Sequence, residues 1–271
     1  MTGIFDTHAH YDDTAFDGDR DSLLSSMAAG GVAAICNAGS TLASSRTSLE
    51  LAERYDFIYA AVGIHPDEIG ELNEETFAEL CRLAAHPKAV AVGEIGLDYY
   101  VPDFLREDPD YVDDKDQAGR EKQQYWFIRQ LELARQLGKP VVIHSRDAAK
   151  DTMDLIRDKA DGLTLDIHCY SYSPEQARAY LDMGHYLGIG GVLTFKNSRK
   201  LKEVVAMMPE ERILLETDCP YLAPVPFRGK RNSSLNLPYV VKAIAELKGM
   251  SEGRVLAVTW DNACRFYGLP H

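Results

Sequence analysis

The residues that could do chemistry in this chain are histidines and acids that directly follow short apolar runs. They are His8, His10, His65, Glu94, His144, His168, Glu216 and Asp218. Imidazole and carboxylate groups suit Zn²⁺, Mn²⁺ or Fe²⁺, and carboxylates with water suit Mg²⁺. Five of the eight histidines belong to this set, whereas purely structural histidines would be scattered. The pattern predicts a divalent metal centre, provided that the fold brings these positions together.

Two features of the set predict how the ions are held. His8 and His10 are two positions apart in an extended stretch, so both rings point the same way and can bind one ion. The full set exceeds one tetrahedral shell, which favours two ions bridged by a carboxylate, and Glu94 is the candidate bridge. Asp218 is predicted to bind one ion and to orient or deprotonate a water that the ions activate.

The elements that must position these residues follow from the apolar pattern. β-branched apolar runs alternate with amphipathic stretches, which is typical of repeated βα units around a parallel sheet. The predicted strands are 4–6, 32–36, 58–62, 89–92, 140–143, 164–167, 186–189 and 213–215. The predicted helices are 19–29, 43–55, 74–85, 123–137, 148–159, 174–183, 198–207, 239–248 and, as a lid on the core, 252–267.

Eight such units predict an α/β fold, a (β/α)8 TIM barrel with an additional C-terminal helix. At 271 residues, 45% of them hydrophobic and 26% charged, the chain has the length and composition of a single barrel domain spanning 1–271. In such a barrel the C-terminal ends of all strands converge on one pocket. The histidines and acids listed above therefore converge there, however far apart they are in sequence.

Residues 101–119 interrupt the pattern. This segment is rich in Asp and Glu, contains Pro102 and Pro109, and has no periodicity, which predicts a long surface loop after the fourth strand. Two interpretations stay open: a solvated acidic insertion without function, and a lid that restricts substrates at the barrel mouth.

Charge and targeting signals restrict the partners. The formal net charge of -13 opposes non-specific wrapping of a polyanion, so a nucleic acid would have to be gripped locally, at an end or on a short single strand. Neither a basic n-region at the start nor an apolar stretch of ~20 residues is visible, which predicts a cytoplasmic protein that does not enter a membrane. The five cysteines form no CxxC pair and are predicted to be reduced thiols.

The motifs resemble those of the TatD family of metal-dependent deoxyribonucleases. The segments that carry the resemblance are 5–10 (FDTHAH), 63–66 (GIHP), 93–100 (GEIGLDYY), 140–148 (PVVIHSRDA), 190–197 (GGVLTFKN) and 216–218 (ETD). They run almost from end to end of the chain. Departures from the family pattern include the long acidic segment 101–119, the wall sequence 169–173 (CYSYS) and residues 233–236 (SSLN).

The resemblance implies specific roles for these residues. It implies metal ligands at His8, His10, Glu94, His144, His168 and Asp218, and a 3′-to-5′ deoxyribonuclease activity on DNA, as a single strand or a 3′ end. Glu216 resembles a further metal or water ligand with a catalytic role, and His65 a residue that contacts the scissile phosphate. The loop 226–232 resembles a substrate-facing segment, in which Arg228 can fork onto phosphate oxygens and Lys230 adds charge.

Three functions are weighed. The first is phosphodiester hydrolysis by two or three divalent ions (Mg²⁺, Mn²⁺ or Zn²⁺), with Arg228 and Lys230 offsetting charge in the transition state. The second is amidohydrolase-type hydrolysis of a lactone, amide or aminoacyl ester at the same site. Two features favour phosphodiester hydrolysis over the second function. The fourth strand ends in Glu94 and not in a lysine that could be carbamylated to bridge the metals, and the basic loop suits a phosphate better than a neutral carbonyl. The third is a metal-binding scaffold without catalysis, which the intact ligands and water-orienting acid disfavour.

Overall fold

Eight parallel strands form the central sheet in the computed structural model, which describes residues 3–107 and 114–270. The strands are β1 (Ile4–Ala9), β2 (Val32–Ala38), β3 (Ile58–Val62), β4 (Ala89–Asp98), β5 (Val141–Arg146), β6 (Leu165–Ile167), β7 (Tyr186–Ile189) and β8 (Ile213–Leu215). They pair in chain order, each parallel to the next. A parallel bridge between Ala9 and Cys219 joins β1 to the chain after β8. The predicted (β/α)8 TIM barrel is confirmed.

Helices connect the strands and surround the barrel. They are α1 (Arg20–Ser25), α2 (Leu42–Arg54), α3 (Glu74–Ala84), α4 (Asp103–Arg106), α5 (Gln117–Leu137), α6 (Ala149–Lys159), α7 (Pro174–Asp182), α8 (Arg199–Met207), α9 (Leu237–Lys248) and α10 (Glu252–Tyr267). Local sequence sets their ends. Asn73, for example, caps α3 by accepting hydrogen bonds from the backbone N–H groups of Glu75 and Thr76. Gly138 ends α5 in the left-handed conformation, with φ of 64°.

Two buried clusters make up the core. The larger one lies between the strands and the helices around them. The smaller one joins Phe5 of β1 to Val142 of β5, on opposite sides of the barrel, and therefore fills the barrel interior. Phe266 and Tyr267 of α10 belong to this interior cluster, and the Tyr267 hydroxyl donates to the Thr7 carbonyl oxygen at 2.7 Å. The C-terminal helix thus covers the barrel from the end opposite to the C-terminal strand ends, as a lid on the core.

The prediction of a long loop at 101–119 is partly wrong. The short helix α4 lies within it, and α5 begins at Gln117, six residues before the predicted start at 123. The Asp116 side chain caps α5 by accepting a hydrogen bond from the Gly119 N–H at 2.8 Å. The first residues of α5 are mostly exposed, so they carry no apolar stripe that could have indicated a helix. Residues 108–113 of the predicted loop lie outside the described residues.

Two simpler expectations also have outcomes. All five cysteines lie within the described residues and none forms a disulfide. Among the helices that the structure describes, we find none with the length and apolar character required to cross a bilayer.

Candidate metal centre

The predicted ligands come together at the C-terminal ends of the strands, around one carboxylate. Glu94 Oε1 lies 2.7 Å from His144 Nδ1 and 2.7 Å from His168 Nε2. The other oxygen, Oε2, lies 3.4 Å from His8 Nε2 and 3.6 Å from His10 Nε2. Each oxygen of one acid therefore faces a different pair of imidazoles, which is the arrangement expected of a carboxylate that bridges two ions.

Asp218 completes the ligand set on the side of β1. Its Oδ1 lies 3.3 Å from His10 Nε2 and 3.8 Å from His8 Nε2. Asp218 has a φ of 56°, a left-handed conformation that Asp adopts more readily than most residues, and its N–H donates to the His8 carbonyl oxygen at 2.9 Å. This turn directs the carboxylate back over the end of β1.

The ligand atoms form overlapping groups that could each hold an ion. In each group the candidate atoms lie within 4.8 Å of one another: His8, His168 and Asp218; His8, His10 and Glu94; His65, Glu94 and His144; and His65, Asp67 and Asp98. The first and second groups share His8, and the second and third share Glu94. The described residues thus form several adjoining candidate ligand groups, and the number of ions stays a prediction.

The positions of the ring nitrogens suit metal binding better than they suit hydrogen bonds between the imidazoles. His8 Nε2 and His10 Nε2 face one another at 3.1 Å, and two imidazoles in this arrangement share at most one proton. His10 Nδ1 lies 2.9 Å from the Ala38 carbonyl oxygen, which holds the proton of the neutral ring at Nδ1 and leaves the lone pair at Nε2. The donor set of four imidazoles and two carboxylates suits a divalent cation.

Charges in the cluster are strongly coupled. Burial alone would lower the pKa of His10, but the hydrogen bond to Asp218 and the charge of Glu94 raise it to about 10. Burial likewise opposes protonation of His144, but Asp98 and Glu94 raise its pKa to about 9. Burial alone would raise the pKa of Glu94, yet the surrounding imidazoles hold it well below its usual range. Protons on two imidazoles thus balance the carboxylates, and a divalent ion would compete with those protons.

Asp98 is a site residue that reasoning from the ligand pattern missed. Its Oδ2 lies 3.0 Å from His144 Nε2, so the carboxylate orients this ring and leaves Nδ1 to face Glu94. Its Oδ1 accepts a hydrogen bond from the Tyr100 N–H at 2.8 Å. Its spacing of four residues from Glu94 in an extended strand was the available signal, because that spacing puts both acids on one face.

His65 lies at the edge of the cluster. Its Nε2 is 3.8 Å from Glu94 Oε1, and its ring centroid is 4.3 Å from that of His144. Its Nδ1 accepts a hydrogen bond from the Asp67 N–H at 3.1 Å. The structure therefore places His65 beside the predicted ligands, and its predicted contact with a phosphate stays a prediction.

Glu216 lies beneath the cluster and outside the ligand groups formed by the described residues. Its Oε1 accepts a hydrogen bond from the Cys169 N–H at 2.5 Å, and its Oε2 is buried with no partner in the described part of the chain. Burial, together with the charges of Asp166 and Asp218, raises its pKa well above the usual range. Gly188 makes room for this side chain, since a Cβ there would lie 2.1 Å from Glu216 Oε2. The catalytic role predicted for Glu216 is untested.

Arg228 and Lys230 are exposed on the loop after β8. The Arg228 guanidinium carbon lies 4.5 Å from the centroid of the Phe195 ring. Among the described residues, neither basic side chain forms an ion pair with the predicted ligands. The structure thus leaves both available to solvent and does not bring them into the cluster; their predicted contact with substrate stays a prediction.

The family model for TatD related DNases matches residues 5–268. The chain belongs to the TatD family. It is 38% identical over 267 residues to the Bacillus subtilis metal-dependent hydrolase YabD, an alignment that covers 98% of this chain and 99% of that protein. The resemblance to this family that the sequence motifs predicted is confirmed.

Two further relatives extend the comparison. The chain is 32% identical over 273 residues to a 3′-5′ ssDNA/RNA exonuclease TatD of Cronobacter sakazakii, with 97% of each chain covered. The crystal structure of the TatD homologue YjjV from Escherichia coli is similar, with a TM-score of 0.87, 29% identity and 98% of both chains covered. The TatD-family protein described here is therefore a metal-dependent hydrolase.

Proposed function

We propose that this TatD-family hydrolase is a 3′-to-5′ exodeoxyribonuclease that cleaves phosphodiester bonds at the end of single-stranded DNA. The observation that carries the proposal is the position of Glu94, whose two oxygens face two different pairs of imidazoles. Two divalent ions held by these residues would suit phosphodiester hydrolysis, because they could offset charge on both the attacking and the leaving oxygen. The name of the Cronobacter relative supports the same reaction.

The predicted ligands His8, His10, Glu94, His144, His168 and Asp218 would hold two or three ions, of Mg²⁺, Mn²⁺ or Zn²⁺. When bound, these ions activate a water molecule and neutralise charge on the phosphate. Glu94 and His8 are almost wholly buried, with side-chain exposures of 4% and 0%, whereas Asp218 and His144 retain 17% and 16%. The cluster is therefore open to solvent at Asp218 and at His144, and substrate reaches it through this opening.

Asp218 orients the attacking water. Although burial opposes ionisation, the hydrogen bond from His10 holds the pKa of Asp218 below its usual value. An ionised acid at the open side of the cluster is a hydrogen-bond acceptor for a water proton. His65, which lies beside His144, contacts the scissile phosphate, and Glu216 supports the site from beneath.

A few basic side chains on the loop after β8 recognise the substrate. The net charge of -13 disfavours a long polyanion, so Arg228 and Lys230 bind the terminal phosphates locally. Binding at an end fits an exonuclease that acts in the cytoplasm on short single strands.

The experiment uses purified protein, Mg²⁺ or Mn²⁺, and single-stranded oligonucleotides labelled at either end. Shortening from the 3′ end, abolished by EDTA, is expected. Asp218→Asn should remain folded by circular dichroism and lose at least about 100-fold in rate, because it removes the acceptor for the water proton. Undiminished cleavage in that variant contradicts the role of Asp218. RNA, a lactone and an aminoacyl ester are assayed in parallel, and turnover of the esters alone favours amidohydrolase-type chemistry.

The role of the basic loop is tested separately. Arg228→Ala should raise KM for oligonucleotides by about tenfold, lower the salt dependence of binding and leave kcat nearly unchanged. Arg199→Ala is the matched control, because Arg199 is 90% exposed and pairs with Glu203 on α8. Equal KM values for the two variants would remove Arg228 from substrate binding.

A further inference from the structure

The backbone just before α5 packs against the end of β4. The Arg120 Nε donates to the Lys115 carbonyl oxygen at 2.7 Å, and the Arg120 guanidinium carbon lies 4.5 Å from the Tyr99 ring centroid. Gly119 packs so closely that an added Cβ would lie 1.8 Å from the Asp114 carbonyl oxygen. This part of the acidic insertion therefore holds Lys115 in a defined place.

Lys115 is directed inward, to the rim of the metal centre. Only 7% of the residue is exposed, and its Nζ forms an ion pair with Asp67. Lysine is rarely buried without compensating charge. Within the described part of the chain, Asp67 supplies an opposite charge and Asp98 lies nearby: burial alone would raise the pKa of Asp98, whereas its hydrogen bond with His144 and, to a lesser degree, the charge of Lys115 lower it.

The residues that receive Lys115 have the composition of a cation site. We call His65, Asp67 and Asp98 the outer acid group; one ligand atom from each lies within 4.8 Å of the others. It adjoins the group of His65, Glu94 and His144 through the shared His65. Two carboxylates and an imidazole are ligands that Mn²⁺ or Mg²⁺ would accept.

We propose that the Lys115 ammonium occupies the place of a further divalent ion at the outer acid group. The insertion thereby supplies a tethered cation to the rim of the metal centre. Its positive charge at Asp67 is present at any metal concentration, and it keeps a divalent ion from the outer acid group. The sequence pattern could not indicate this role, because the segment shows no periodicity and reads as acidic.

Removal of the ammonium should open the site. Lys115→Met keeps most of the side-chain volume but leaves Asp67 without its ammonium partner and removes a positive charge near Asp98, which is a costly arrangement that a divalent ion relieves. An ion pair that serves only to fasten the insertion would behave differently, because its loss would release the segment and leave the number of bound ions unchanged.

The test counts Mn²⁺ ions bound per chain in the full-length protein, by equilibrium dialysis followed by elemental analysis. Lys115→Met and Lys115→Gln are expected to bind one ion more than the wild type. Lys115→Arg, which retains the charge, and the double variant Lys115→Met with Asp67→Asn should bind the wild-type number. Lys122→Met, at an exposed position of α5, is the matched control and should also be unchanged.

Two results would overturn the proposal. One is a wild-type ion count in a folded Lys115→Met or Lys115→Gln variant. The other is an extra ion in Lys115→Arg. If Lys115→Met misfolds, Lys115→Gln decides, since its amide can still donate to Asp67. The proposal rests on the metal centre and is independent of the nuclease reaction, because the count requires no substrate; a failed nuclease assay leaves it standing.

Discussion

Asp98→Asn tests how far the metal centre depends on a residue that need not touch the ion. The substitution keeps the shape of the side chain and removes the charge that faces His144 Nε2 at 3.0 Å. The pKa of His144 rises from 6.5 to about 9 despite burial, a stabilisation of roughly 3 kcal/mol for the cationic ring. Asp98 and Glu94 share this effect. Loss of the Asp98 share should therefore lower the affinity for a cation at this ring by roughly tenfold, on the order of 1 kcal/mol.

The pH dependence of that loss distinguishes an electrostatic role from a structural one. A carboxylate partner also raises the basicity of the ring, so protons compete more strongly with metal in the wild type than in the variant. We therefore expect the affinity for Mn²⁺, measured by calorimetry, to fall about tenfold above pH 9 and by less near pH 6. Below pH 9 the affinity of the variant should also fall less steeply with pH than that of the wild type, because only the His144 proton competes more weakly in the variant.

The control for this experiment is Asp161→Asn, an exposed acid in the turn before β6. It removes the same charge from the net total and leaves the cluster intact. An unchanged affinity in Asp98→Asn, or a loss of the same size at every pH, would refute the assignment of Asp98 to the orientation and basicity of His144.

Three further predictions follow from buried groups. Metal binding at pH 7 should release about two protons, since the pKa values of His10 and His144 are about 10 and about 9; calorimetry in buffers of different ionisation enthalpy measures this number, and release of none would contradict the competition. Burial lowers the pKa of His185 from 6.5 to about 4, so the stability it contributes is present above pH 6.5 and is lost as pH falls towards 4. In urea unfolding, the free energy of unfolding of His185→Gln should fall less across that pH window than that of the wild type, by up to about 3 kcal/mol. An identical fall in both proteins would exclude His185 as the cause of this pH dependence. Gly188→Ala should displace Glu216, because the new Cβ would lie 2.1 Å from its Oε2, and should lower the melting temperature; unchanged stability would mean that the acid moves freely.

The fold, and the clustering of most of the candidate ligands, could be predicted from the sequence for one reason. Strands and helices of a barrel each bury one side against a shared core, so their periodicity is visible in any single unit. The C-terminal ends of all strands then meet without further information, which brings His8 and His168 together although 160 positions separate them. Metal ligands at such ends are recognisable because histidines and acids replace apolar residues there.

Asp98 and Lys115 could not be found in the same way. Their roles depend on which atom each side chain meets, and such contacts leave no periodic trace. The helix α5 begins with exposed residues, and its N-cap Asp116 is one more acid in an acidic segment. The apolar pattern therefore cannot separate the start of α5 from the preceding loop, and it gives no indication of a role for Lys115.

The position of Glu94 depends on a local irregularity of β4 that alternation alone would contradict. Val92 and Ile95 both belong to the outer cluster between strands and helices, although they are three residues apart. Val92 pairs with Val141, but Ile95 pairs with Ile143, so β4 contains one more residue than β5 between these pairs. In a regular strand, Glu94 would lie on the same side as Val92, towards the helices. The extra residue reverses this alternation and turns Glu94 towards the barrel mouth, where both of its oxygens meet imidazoles. A β-bulge at this point is therefore what makes a central carboxylate possible, and the bridging role proposed for Glu94 depends on it.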